Sequence, residues 1–242
     1  FSTAEEADKA FIKALLDNNT DELLAIFGED ANDLVSSGDD VKVYADNQAT
    51  DPVAILHFLR NQEYKESGVP NLSLSDFIKP ENDGRRDTIG LFAVTASIDE
   101  EKAARFKEDD YASIMIRLLS DRFAEAAAEW LHTTVRRQYC GYAANEKLSM
   151  GEILSSKYKG IRPAPGYPAC PDHTEKRIIF DLLEAEEAIG IGLTENFAMT
   201  PPASVCGYLF AHSNAGYFNV GKIADDQVAD YASRKGLSIT EV

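Results

Sequence analysis

Cysteine is scarce. Cys140, Cys170 and Cys206 are the only three in 242 residues, an odd number at wide spacing, too few for a disulfide framework, which suits a reducing, cytoplasmic compartment or else one incidental bridge. Basic residues are also short, with 24 Lys and Arg against 41 Asp and Glu for a net charge of −17. A nucleic acid or an anionic membrane surface is recognised through a basic footprint, and this sequence has none. No apolar run approaches the roughly 18 residues of a membrane span, and no charged-then-apolar leader opens the sequence as given. The four histidines, His57, His132, His173 and His212, do not pair at helical metal spacing. Cys170 and His173 form C-x-x-H, half of a zinc-like spacing with no second half nearby. There is no G-x-x-x-x-G-K-[ST] and no G-x-S-x-G, and Gly190-Ile191-Gly192 follows a predicted helix and lacks a third glycine. No nucleophile or acid–base pair announces itself. The sequence reads as a binder of something reactive.

What is present suits a soluble globular protein: 44% hydrophobic and 27% charged residues provide both a core and a solvated surface. The length suits one large domain or two small ones. Charge is uneven, because residues 1–50 hold 12 acids and three lysines, more than half of the net −17. The opening reads as two short helices, the first with Thr3 and Glu6 in capping-box spacing and the second ending at Gly28. Residues 32–40 read as a turn or linker, 41–45 as a strand, 52–65 as a helix, and 88–97 as a buried strand after an Asp83-Gly84 turn. The strongest helix signal covers 109–138, rich in Ala, Leu, Glu and Arg and free of Gly and Pro. Leu119, Phe123, Ala126 and Trp130 share one side of it. Arg122, Glu125, Glu129 and His132 recur at steps of three and four on another, either a solvated face or a binding face. A helix over 174–189, strands over 203–212 and 217–223 joined as a hairpin, and a last helix capped by Asp225 and stopped at Gly236 complete the pattern. Mixed helices and hairpins without βαβ alternation predict an α+β fold, a curved single domain with a twisted antiparallel sheet flanked by helices.

Residues 162–168, Arg162-Pro163-Ala164-Pro165-Gly166-Tyr167-Pro168, carry the chemical information. Three prolines stiffen the segment, so it presents backbone groups at small entropic cost. Gly166 permits a close approach, Arg162 offers a fork matched to a carboxylate, and Tyr167 supplies an aromatic wall. The combination suits a small zwitterion with a flat heterocycle, or else it is a proline-rich surface connection.

The run from Gly160 to Lys176, Gly-Ile-Arg-Pro-Ala-Pro-Gly-Tyr-Pro-Ala-Cys-Pro-Asp-His-Thr-Glu-Lys, resembles the signature of the activation domain of cobalamin-dependent methionine synthase. The similarity extends through Asp121–Ala126, Glu129–His132 and Gly141–Ala143 to Leu193–Glu195, Ala198-Met199, Ala203–Val205 and Asp226–Val228. It runs from about Asp39 to the end and defines a region 39–242. Residues 1–38 resemble instead the opening of an uncharacterised bacterial exported family, through Phe1–Ala7 and Leu34–Gly38, and form a separate helical segment in this reading. The resemblance implies S-adenosylmethionine as ligand and a role in reductive reactivation, by methylation, of cob(II)alamin. Flavodoxin or a reductase supplies the electron. It also implies that Arg162 holds the ligand carboxylate, that Ala164, Gly166 and Tyr167 line it, that Glu125 faces its ammonium, and that Tyr217 and Phe218 lie beside it. Phe218 stands where the family frequently has tyrosine. The family's upstream Asp-Trp segment, whose acid also meets the ammonium, has no match before Asp39. The cobalt-ligating Asp-x-His-x-x-Gly motif is absent, so a corrinoid would be held by a partner domain or chain. The competing reading is a non-catalytic interaction or remnant module with an incomplete cleft.

Overall fold

A computed structural model describes residues 33–37, 39–46, 48–66, 69–80, 87–96, 98 and 104–242. The predicted N-terminal helices and the Asp83-Gly84 turn lie outside these residues. Strands β1 (Asp33–Ser37), β2 (Asp40–Tyr44), β3 (Ala54–His57) and β4 (Asp87–Thr88) form an antiparallel sheet in the order β3-β2-β1-β4. Where a linker is expected over 32–40, β1 pairs with β2 from Asp33↔Tyr44 to Ser37↔Asp40. The strands on either side of the expected division after residue 38 thus pair with each other in one sheet. The helix expected over 52–65 is instead β3 and an extended run. Val53, Leu56 and Leu59 fit helical spacing, but Ala54–His57 pairs with Val43–Asp40, and tertiary pairing overrides a short periodic signal.

The central layer is β5 (Gly90–Thr95) paired antiparallel with β8 (Ser204–Leu209). Successive side chains of a strand point to opposite faces, and here both faces are covered. Phe92 and Val94 of β5, with Leu209 of β8, pack on Ala128 and Leu131 of α1 (Asp110–Thr134). Ala93, Cys206 and Tyr208 face the other way, onto Ile179 and Phe180 of α3 (Glu175–Leu183) in the main core. Burial on both sides explains why these strands read as continuous apolar runs.

Helix α1 opens with Asp109, whose carboxylate accepts the Ala112 N–H at 3.0 Å, and it runs into a π turn over Val135–Tyr139. Its buried line is Ser120, Ala124, Ala128, Leu131 and His132. The expected apolar side is thus offset, for Leu119 and Phe123 are exposed. Two alanines allow the helix to lie close to the β5–β8 layer, which bulky side chains would prevent. A short helix α2 (Met150–Leu154) follows. The helix expected over 174–189 is broken at Glu184, in left-handed conformation at φ 49°, so that α4 (Ala185–Ile189) starts with Ala185 turned into the core. Strands β6 (Gly192–Leu193) and β7 (Met199–Thr200) form a small hairpin. Residues 217–223, expected as a strand, are irregular. Helix α5 (Asp225–Lys235) is capped at Ala224, with Asp225 as its first turn, and ends at Gly236. The result is the α+β fold that the sequence predicts.

Candidate functional site

The proline-rich segment is the third strand-like member of the central layer. Ile161 N–H donates to the Phe210 carbonyl at 3.0 Å, Phe210 N–H returns to Ile161 at 2.9 Å, and Tyr208 N–H donates to the Pro163 carbonyl at 2.9 Å. Proline has no N–H to give, so the ladder needs only its acceptor there. Gly207 of β8 makes the approach possible, because a Cβ at that position would stand 2.6 Å from the Pro163 oxygen and 3.0 Å from the Phe92 ring. Alternation along this segment sends Ile161 and Pro163 toward β8 and leaves the Arg162 N–H facing away. That N–H donates to the Tyr217 hydroxyl at 3.0 Å.

Beyond Arg162 the chain folds on itself. Tyr167 N–H meets the Ala164 carbonyl at 3.2 Å, and Gly166 N–H meets the Cys170 carbonyl at 2.7 Å. Pro163, Ala164 and Pro165 are buried, and Gly166, Tyr167 and Pro168 are exposed. Gly166 sits at φ +94° with the His173 ring directly against the place a Cβ would occupy, so both conformation and space require glycine. His173 is held in turn by the Lys176 ammonium, 2.6 Å from Nδ1. The loop is a supported ledge.

Opposite lies α1. The Arg162 guanidinium places Nη2 2.6 Å from Glu129 Oε2, with the two side chains 19% and 23% exposed. Burial, and then the half-buried Glu125 carboxylate beside it, push the Tyr167 phenol above its ordinary range. Arg162, Tyr167, Tyr217 and Glu125 are therefore linked to one another between the ledge and α1. Phe218 is half-buried and packs edge-on against Phe77 at 6.3 Å between ring centroids, so much of its ring serves the core. Ala164 is buried, with its carbonyl used in the turn.

Behind these residues stands a layer that the sequence motifs do not mark. Tyr158 lies 3.3 Å, oxygen to oxygen, from Tyr217, stacks under the Arg136 guanidinium at 4.3 Å, and meets the His132 ring edge-on at 4.9 Å. Arg136 is fully buried and is held by Glu146 at 2.8 Å. Burial, then the positive charges of Arg136 and Arg162, push the His132 imidazole down to about 3. Glu129 and His132 lie on the polar stripe that the sequence displays, and Arg136 extends it by another turn. The stripe passes from exposed Arg122 through half-buried Glu125 and Glu129 to fully buried His132 and Arg136. Among the described residues no group of three His, Cys, Asp or Glu could hold a metal ion, and no helix is long and apolar enough to cross a membrane. Cys170 is buried, with its thiol pushed well up by desolvation.

An α+β domain with an arginine-bearing ledge facing an acidic helix is a small-ligand binding module. The vitamin B12 dependent methionine synthase activation domain family matches residues 5–236, and the chain belongs to that family. The match begins well before residue 39, where the visible resemblance starts. Among solved structures, the crystal structure of the MetH reactivation domain bound to AdoHcy is similar, with 46% sequence identity and a TM-score of 0.82, covering 98% of this chain and 74% of that one.

Proposed function

We propose that this chain binds S-adenosylmethionine and serves as the reactivation module of a cobalamin-dependent methionine synthase. The ligand carries a carboxylate, an ammonium, a sulfonium and a flat adenine, and the cleft offers a complement to each. Arg162 takes the carboxylate, and Glu125 faces the ammonium. Ala164 and Gly166 contribute main chain, and Tyr167, Tyr217 and Phe218 contribute rings. The observation that carries the reading is Arg162 itself. It is anchored through its backbone N–H and one guanidinium nitrogen, Nη2, while its side chain keeps 19% of its surface open. A guanidinium held at one nitrogen and open at the rest of its edge is placed to meet an anionic group of a ligand.

Bound S-adenosylmethionine supplies a methyl made electrophilic by the sulfonium, and loss of that methyl leaves S-adenosylhomocysteine. The chain's own part is to bind, orient and set the charge around the ligand. The methyl acceptor is a corrinoid held by a corrinoid-binding domain or chain, and flavodoxin or a reductase gives the electron. The three free cysteines and the net charge of −17 support a cytoplasmic setting without a nucleic-acid partner. The remnant alternative is not favoured, given 46% identity over 98% of the chain to a domain solved with AdoHcy.

Titration calorimetry with S-adenosylmethionine tests the proposal. Arg162→Ala is expected to weaken binding by roughly ten- to a hundredfold, the scale of one charged hydrogen-bond partner. No heat with the unsubstituted chain, or equal affinity for the variant, defeats it.

A further inference from the structure

Glu129 has no assigned role, and its surroundings give it one. One carboxylate oxygen, Oε2, takes the Arg162 Nη2 donor at 2.6 Å. The other, Oε1, is buried and has no hydrogen-bond partner among the described residues; Arg136 Nη1, also buried and unpartnered, stands 4.0 Å away. Arg136 cannot turn toward Glu129, because Glu146 takes its Nε at 3.1 Å and its Nη2 at 2.8 Å while Tyr158 lies flat against it. Four charges thus alternate from the interior to the cleft: Glu146, Arg136, Glu129, Arg162. The first two are locked, the third is fixed on α1 one turn beyond Glu125, and the fourth faces the cleft.

We infer that Glu129 is a positioning residue: it orients the Arg162 guanidinium for the ligand's carboxylate and so makes the cleft selective for a ligand that keeps that group. The inference rests on the proposed function. A guanidinium has five N–H donors in a rigid fork, and fixing one of them on Glu129 aims the others. Without that anchor, a long side chain with many accessible rotamers must be ordered by the ligand itself. Glu129 acts through Arg162, whereas Glu125 faces the ligand's ammonium directly. The two acids therefore differ in which ligand groups they serve.

Two ligands separate these roles: S-adenosylmethionine and its decarboxylated analogue, which keeps the ammonium, sulfonium and adenosine. Calorimetry on Glu129→Gln is expected to show about a tenfold loss of affinity for S-adenosylmethionine. The decarboxylated analogue should bind with unchanged affinity. Glu129→Asp, which keeps the charge but draws it back from Arg162 Nη2, should show the same ligand-selective loss and serves if Glu129→Gln fails to fold. Glu125→Gln should weaken both ligands alike. A merely structural role for Glu129, or a direct one toward the ligand's cations, lowers both affinities together, and that result overturns the inference. Binding of neither ligand by the unsubstituted chain removes the proposed function and this inference with it. Binding of both with no selectivity change in Glu129→Gln removes the inference alone.

Discussion

His132 is the most constrained titratable side chain near the cleft. It is fully buried, neither ring nitrogen has a partner among the described residues, and burial with two nearby arginines lowers it from 6.5 to about 3. Between those values the unfolded chain binds a proton that the native state refuses. Acid therefore favours unfolding through that window, and stability falls as pH drops from 6.5 toward 3, by up to about 1.4 kcal/mol per pH unit from this residue. His173, held down by burial and Lys176, adds in the same sense. His132→Leu removes the effect together with two unsatisfied polar atoms. Denaturant titrations at pH 7 should place the variant within about 1 kcal/mol of the parent, and at pH 4.5 it should be the more stable of the two. A parallel decline in both proteins would refute the assignment. His132 was visible in the sequence only as a member of a polar stripe. Its depth depends on Ala124 and Ala128, which bring that side of α1 onto the central layer.

Two elements fix the site through contacts with opposite energetic character. Helix α5 is docked by Lys235, whose ammonium meets Asp172 at 2.8 Å, Thr174 at 2.6 Å and the fully buried Glu175 at 2.7 Å. Burial lowers the Lys235 pKa, but Glu175 and Asp172 more than reverse it and hold the ammonium above its ordinary value. Lys235→Met strands Glu175 in the core and should cost about 3–5 kcal/mol in urea unfolding. The exposed Arg177–Asp181 pair on α3 is the control, since Arg177→Ala should cost under about 0.5 kcal/mol. Gly207 governs the other contact. Gly207→Ala forces the 161–163 segment off β8, with an expected cost of about 1–3 kcal/mol. It should also weaken S-adenosylmethionine binding, because Arg162 rides on that segment. Unchanged stability and affinity would show that the segment tolerates the displacement.

For the molecule as a whole, charge is the dominant collective property. With 41 acids against 24 bases, self-repulsion opposes compactness, and salt screens it over about 10 Å at 0.1 M. The melting temperature should therefore rise when sodium chloride is increased from about 0.02 to 0.3 M, as calorimetry or circular dichroism would show; a fall would mean that net attraction dominates the surface. The fold embeds this charge in a layered body: α1 on one face of β5–β8, α3 on the other, and the β1–β4 sheet sharing the main core. A boundary at residue 38 looked natural because the acidic Ser36–Asp40 stretch has turn composition. The pairing partners of β1 lie in β2 and β4, and no local signal names a strand's partner.

The amino-acid sequence alone determined what depends on local chemistry. It placed the long helix, expected over 109–138 and found over 110–134, the apolar strands β5 and β8, the helical stop at Gly236, and the stiff Arg162–Pro168 ledge with its need for glycine at 166. Tertiary structure alone decided what depends on neighbours distant in the chain. It made a strand of residues 54–57, because β2 supplied hydrogen bonds that a helix would have replaced. It turned Leu119 and Phe123 outward and His132 inward, because small residues set how near α1 comes to the sheet. It also joined Glu129 to Arg162 across 33 positions, since an ion pair needs closeness in space, and only packing brings those two side chains together.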